Sequence, residues 1–330
     1  MSELNKLNKL NQLNQLEYLK KITTVVADTG EIEAIVKFKP QDATTNPSLL
    51  LKAADIPAYQ SYLLEAIEYA KSFNFKTQAE TLARAVEKFS VTIGAEILKI
   101  IPGRVSTEVD ARFSFDVNKT VEIARRVIKL YDAMGVSKER VLIKIASTWE
   151  GIKACEILEQ EGIHCNMTLI FDFNQAIACA DAKATLISPF VGRIYDWYKN
   201  KEQREFDQTN DPGVLFVQKI FNYFRFFNIP TIVMGASFRN IGQIQGLAGC
   251  DYLTISPNLL ALLEKTNEPL DAVLSLEEAK QIPQEKIVLD ESRFRFLLNE
   301  NAMATEKLAE GIRLFCQDIK KLETKLAGSY

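Results

Sequence analysis

Val141-Leu142-Ile143-Lys144-Ile145-Ala146-Ser147-Thr148 is an apolar, partly β-branched run broken by one lysine. It reads as a β-strand buried on both faces, the condition of strands in a parallel sheet. A helical pattern follows over 148–161, and another strand candidate over 166–171. The same unit recurs in both directions. Strand candidates fall at 22–28, 43–46, 105–110, 185–191, 231–238 and 252–256, which makes eight in all, and helical patterns at 56–72, 77–88, 117–134, 173–182 and 214–227. No Gly/Ser/Pro-rich linker divides the series. Uninterrupted strand–helix alternation predicts an α/β fold, a single (β/α)8 barrel over 13–330 with extra helices at both ends, rather than two doubly wound domains. The tail, 303–326, predicts a charged amphipathic helix on the outside of that barrel. Upstream, leucines at 4, 7, 10, 13, 16 and 19 wrap around a helix instead of lining one face, since a step of three falls ~60° short of a full turn. A helix is expected near 13–19, and residues 1–12 as a mobile extension.

Composition narrows the function. The 330 residues carry 25% charged side chains and a net charge of −3, with no basic balance that suggests nucleic acid. No apolar run reaches the roughly 18–20 residues of a membrane span, and no secretory signal is seen. Five scattered cysteines without a C-x-x-C fit reduced thiols in a cytoplasm. The lone histidine, His164, rules out a multi-histidine metal site. It stands at a strand start, the end of a barrel strand that is rarely catalytic. Neither a P-loop nor a G-x-G-x-x-G fingerprint occurs.

Lys144 is the chemical signal. Lysine is almost never buried without a reason. Burial penalises the ammonium, so its pKa should fall from about 10.4, and an amine titrating near ~7–8 can attack a carbonyl to form a Schiff base. The predicted strand ends are unusually polar: Asp28; Thr44, Thr45 and Asn46; Ser106, Glu108 and Asp110; Asn166 and Thr168; Ser188. With period two, Leu142, Lys144 and Ala146 face one side while Ile143 and Ile145 face the other. One lumen would then hold the lysine, the acids of the third strand, an asparagine and several hydroxyls. Arg193 and Arg239 follow late strands, where barrels often bind phosphate, and two guanidiniums can clamp a phosphate dianion.

Six segments carry a resemblance: Thr24-Val25-Val26-Ala27-Asp28-Thr29-Gly30, Asp42-Ala43-Thr44-Thr45-Asn46-Pro47-Ser48-Leu49, Gly103-Arg104-Val105-Ser106-Thr107-Glu108-Val109-Asp110, Ile143-Lys144-Ile145-Ala146-Ser147-Thr148-Trp149, Ile187-Ser188-Pro189-Phe190-Val191-Gly192-Arg193 and Met234-Gly235-Ala236-Ser237-Phe238-Arg239-Asn240. In these the chain resembles the transaldolases. The resemblance implies a cytoplasmic transferase of the non-oxidative pentose phosphate pathway, free of metal and organic cofactor and often a homodimer. Such enzymes move a dihydroxyacetone unit from a ketose phosphate (sedoheptulose 7-phosphate or fructose 6-phosphate) to an aldose phosphate (glyceraldehyde 3-phosphate or erythrose 4-phosphate). It implies Lys144 as the Schiff-base lysine, Asp28 and Glu108 as catalytic acids and Thr168 as the holder of a water. Asn46 and Ser188 fall on residues that hold the dihydroxyacetone hydroxyls, and Arg193, Ser237 and Arg239 on the phosphate site. Thr44, Asn166 and Phe190 complete the expected substrate-binding set.

Two departures stand out. Residues 1–12 extend past the family's usual start, and Asp172 replaces a frequent serine. A carboxylate there would repel an anionic substrate unless it points away from the mouth. A fructose 6-phosphate aldolase is the nearest alternative, although those relatives are shorter and usually carry tyrosine where this chain has Phe190. A catalytically silent sugar-phosphate-binding barrel would not need Lys144, Asp28 and Glu108 together.

Overall fold

A computed structural model describes residues 13–328. Eight parallel strands close into a barrel in sequence order: β1 Thr24–Asp28, β2 Asp42–Thr44, β3 Val105–Glu108, β4 Val141–Ala146, β5 Cys165–Ile170, β6 Leu186–Pro189, β7 Ile232–Gly235 and β8 Tyr252–Ile255. The (β/α)8 expectation holds. The strands are shorter than the apolar patterns suggested, so most of the polar strand-end residues lie at or just past the last ladder bond. The expected extension at 1–12 lies outside the described residues.

Register explains the polarity. Residues opposite each other in a parallel ladder face the same side. Glu108 pairs with Lys144, and Lys144 with Asn166. Asp28 pairs with Thr44, and Thr44 with Ser106. The lumen is therefore layered. Val26, Leu142, Leu186 and Met234, with Ile232 and Tyr252, form an apolar plug at the bottom. The polar rows lie above it, and a second apolar cluster built on Ala146, Leu169, Phe171, Phe190, Ala236 and Phe315 closes the top. Ile143 and Ile145 join the outer core, as period two required.

Local signals place the helices. Thr148 caps helix Trp149–Gln160 through Gly151 N at 2.9 Å, and Asn46 caps helix Pro47–Ala53 through Leu49 N at 2.9 Å. Helix Gln78–Leu98 opens with a Thr77/Glu80 capping box and runs ten residues past the expected end at 88. Lys88, the last residue of that pattern, is buried and reaches Glu65 at 3.0 Å. The pattern reading also overlooked helices such as Val191–Glu202 and Pro257–Lys265, which are too polar or too short for a clear period.

The C-terminal helix, Ala302–Gly328, differs from expectation in place rather than kind. It does not lie against the outer helical ring alone. Its apolar stripe (Leu308, Ile312, Phe315, Ile319) crosses the top of the barrel, touching helix Pro47–Ala53 and β5. Gly311 permits the approach: a Cβ there would meet Leu169 Cδ2 at 2.7 Å and Arg193 Nη1 at 3.1 Å.

Candidate active site

Lys144 stands at the centre of the lumen, its side chain 6% exposed, with Nζ 3.0 Å from Glu108 Oε2 and 3.3 Å from the Thr45 carbonyl. The contact with Glu108 is an ion pair rather than a well-aligned hydrogen bond. Asp28 accepts from Thr44 Oγ1 at 2.9 Å, and that hydroxyl is 2.7 Å from Thr254 Oγ1. Across the barrel, Asn166 donates to Ser106 Oγ at 3.0 Å and accepts from Ser188 Oγ at 2.6 Å. Thr168 Oγ1 is buried without a hydrogen-bond partner among the described residues. A buried hydroxyl left so is costly unless a function uses it.

Burial pushes the carboxyls of Asp28 and Glu108 above their ordinary values of 3.8 and 4.5; the positive charge of Lys144 is the largest effect pulling each back. For Glu108 the nearby Asp28 adds to the rise. Two acids that burial inclines to hold protons, beside one amine, form a site able to exchange protons.

A cavity of about 260 Å³ opens above the lysine. Its walls include Asp28, Thr44, Asn46, Lys144, Thr168 and Ser188, and its rim carries Phe190, Arg193, Ser237 and Arg239. The structure thus gathers these expected residues from six strands and the loops that follow them. Glu108 and Asn166 stand behind this wall, backing Lys144 and Ser188. Asp110 does not share the lumen with Glu108. β3 ends at Glu108, and Asp110 instead caps a short turn and bonds Arg112 Nε at 2.8 Å. Asp28 is the second acid of the lumen in its place.

The rim carries two guanidiniums. Arg193 lies in the first turn of helix Val191–Glu202, where the helix dipole favours negative charge. Its guanidinium is held over the rings of Phe190 and Phe315, 5.0 and 5.5 Å from their centroids, and Nη1 is buried without a hydrogen-bond partner among the described residues. Burial and the neighbouring Arg239 lower its pKa, a strain that a bound anion would relieve. Arg239 is fixed by Asp196 at 2.8 Å and leans on Ser237 Oγ at 3.4 Å. Ser237 has φ +64°, an uncommon conformation for serine. Gly192 lets these two strand ends meet, because a Cβ would fall 2.1 Å from the Ser237 carbonyl.

β5 bends to serve the same mouth. Its register with β6 shifts between Met167 and Ile170, and Leu169 takes φ +56°. The bulge turns Leu169 into the upper cluster next to Thr168, while Ile170 goes to the outer core. The Asp172 question resolves locally. Its carboxylate caps helix Phe173–Asp181 through Asn174 N at 2.8 Å and accepts from Asn301 Nδ2 at 2.8 Å. It points away from the cavity and ties that helix to the segment before the C-terminal helix.

Several wall residues were not singled out by sequence: Lys52, Thr254, Ser256, Phe238 and Phe315. Phe315 belongs to an apolar stripe that announced burial but not its partner. His164 sits before β5, 2.9 Å from Thr185 Oγ1, at the end of the barrel away from the cavity. Cys155, Glu159 and Cys165 approach within 4.8 Å in the same region. Both Glu159 oxygens are occupied there, by Cys165 N at 2.8 Å, Thr185 N at 2.7 Å and Thr185 Oγ1 at 3.0 Å.

Comparison with known proteins agrees with this geometry. The family model described as Transaldolase/Fructose-6-phosphate aldolase matches residues 25–326. A protein named "Probable transaldolase" from Drosophila melanogaster is 58% identical over 306 residues, covering 92% of each chain. "Transaldolase" from Homo sapiens is 57% identical over 309 residues, with 93% of this chain and 91% of that one covered. "Transaldolase" from Saccharomyces cerevisiae is 58% identical over 303 residues, with 91% and 90% covered. With the match running from the first strand to the last helix, the chain belongs to the transaldolase/fructose-6-phosphate aldolase family.

Proposed function

We propose that this chain transfers a dihydroxyacetone unit between sugar phosphates through a Schiff base on Lys144, as a transaldolase of the non-oxidative pentose phosphate pathway. The observation that carries the reading is the buried amine 3.0 Å from Glu108, in a cavity that also holds Asp28 and Thr168 and has two arginines at its rim. Glu108 takes the proton that frees the amine. The amine adds to the ketose C2 carbonyl, and water leaves through protons relayed by Glu108 and a water on Thr168. The protonated imine draws electrons. Asp28 then takes the proton of the C4 hydroxyl, the C3–C4 bond breaks, and the electrons stay as an enamine on Lys144. The aldose phosphate departs, another enters, and the steps reverse. Each positioned proton transfer contributes about 10²–10⁴ in rate. Arg193, Arg239 and Ser237 hold the phosphate, while Asn46, Thr44 and Ser188, backed by Asn166, hold the hydroxyls of the three-carbon unit. Phe190 and Phe315 roof the site and limit water that would protonate the enamine. The buried, unpaired thiols Cys155, Cys165, Cys179 and Cys250 support a reducing, cytoplasmic setting. No described helix is long and apolar enough to cross a membrane.

A coupled assay with fructose 6-phosphate, run with and without erythrose 4-phosphate, tests the reading. Turnover that requires the acceptor is expected; equal turnover without it identifies an aldolase instead. Borohydride added with fructose 6-phosphate should leave a reduced three-carbon adduct on Lys144 in a peptide map, and an adduct on any other lysine refutes the assignment.

A further inference from the structure

Besides Lys144, three cations among the described residues line the cavity, and two of the three are fixed. Arg193 is held between two aromatic rings, and Arg239 is anchored to Asp196. The third is Lys52, in the last turn of helix Pro47–Ala53, one helical turn after Leu49 on the face that walls the cavity. Its side chain is exposed, and no carboxylate pairs with it among the described residues. A lysine is a compact charge on a flexible four-carbon stem, suited to following a target that moves. The proposed substrates present such a target. With the three-carbon unit held on Lys144, the phosphate of a seven-carbon ketose lies one carbon farther from the lysine than that of a six-carbon ketose. Two rigid guanidiniums suit one distance; a mobile ammonium at the open side extends the range.

We propose that Lys52 is a third, adaptable phosphate contact that favours the longer ketose phosphate, an inference that rests on the sugar-phosphate reading above. Opposite charge near Asp28 is a second consequence of its position, since Lys52 is among the cations that pull the Asp28 carboxyl back down. The two roles separate experimentally: a phosphate contact acts on KM, whereas an effect through Asp28 acts on kcat.

The test compares the full-length protein with Lys52→Met, which keeps the stem without the charge, and Lys52→Arg, which restores the charge. Steady-state kinetics are run with sedoheptulose 7-phosphate plus glyceraldehyde 3-phosphate, and with fructose 6-phosphate plus erythrose 4-phosphate. Lys52→Met should raise KM for the seven-carbon donor by about two- to fivefold, the range open to an exposed charge pair. KM for the six-carbon donor should rise less, kcat should hold, and Lys52→Arg should recover the KM. An unchanged KM for the seven-carbon donor, an equal rise for both donors, or a fall in kcat alone overturns the proposal. Thermal stabilisation by inorganic phosphate is followed in parallel and should weaken in Lys52→Met. That arm needs no turnover, so a wild-type protein inactive on both donors would refute the activity reading while leaving the cation test legible.

Discussion

Replacing Lys144 by methionine separates the electrostatics of the site from its chemistry. The side chains are similar in length, so packing alone should cost less than about 1.5 kcal/mol. The ion pair is another matter. Lys144 and Glu108 are 6% and 3% exposed and 3.0 Å apart. At an effective dielectric of ~20 their attraction is about 5–6 kcal/mol. Removing one member of such a buried pair typically costs about 3–5 kcal/mol. The loss depends on pH, with a definite sign. Asp28 and Glu108 have folded pKa values raised above 3.8 and 4.5 by burial. Each therefore binds its proton more tightly in the folded state, and its contribution to stability falls as pH rises through the folded value. Lys144 opposes that fall by stabilising both carboxylates. Without it the acids hold their protons to higher pH, and the full penalty appears once both would be ionised. At pH 8 Lys144→Met should lose about 3–5 kcal/mol, and the gap should narrow as the pH is lowered. At about 2 cal/mol/K per residue, a 330-residue chain would show this as a Tm drop of about 4–7 °C at pH 8. Calorimetry of wild type and variant across pH 5–8 reads it directly. Equal losses at both ends, or none at pH 8, would refute the coupling of the three groups.

Two further expectations follow from the rim and the loop after β5. Arg193→Ala and Arg239→Ala should raise KM for phosphorylated sugars, each by the roughly 1.5–3 kcal/mol of a charged hydrogen bond, with the larger effect at the more buried Arg193; an unchanged KM in steady-state assays removes that arginine from the phosphate site. Asp172→Ala should cost about 1–2 kcal/mol in urea unfolding through the lost helix cap and the lost Asn301 bond, and should leave KM for phosphorylated substrates unchanged; a drop in KM would mean that the carboxylate does face the mouth.

Sequence alone determined the features that depend on neighbours along the chain. Hydrophobic period two put Lys144 on the inner face and Ile143 and Ile145 on the outer one, and repeated strand–helix alternation led to a closed barrel. The quoted motifs named the acids and arginines through resemblance. Tertiary structure decided what depends on distant contacts. Asp110 continues the period of β3 on paper, but the ladder stops at Glu108 and Arg112 claims its carboxylate. The Asp172 side chain could be settled only by its partner Asn301, 129 residues away. Phe315 reads as one more apolar residue of a helical stripe, and the stripe does not say what it covers. Because Gly311 lets that helix lie against Leu169 and Arg193, Phe315 becomes part of the cavity wall. Periodicity is written in local backbone geometry and survives in sequence; the docking of one element on another depends on shape complementarity between surfaces far apart in the chain, and only the folded molecule specifies it.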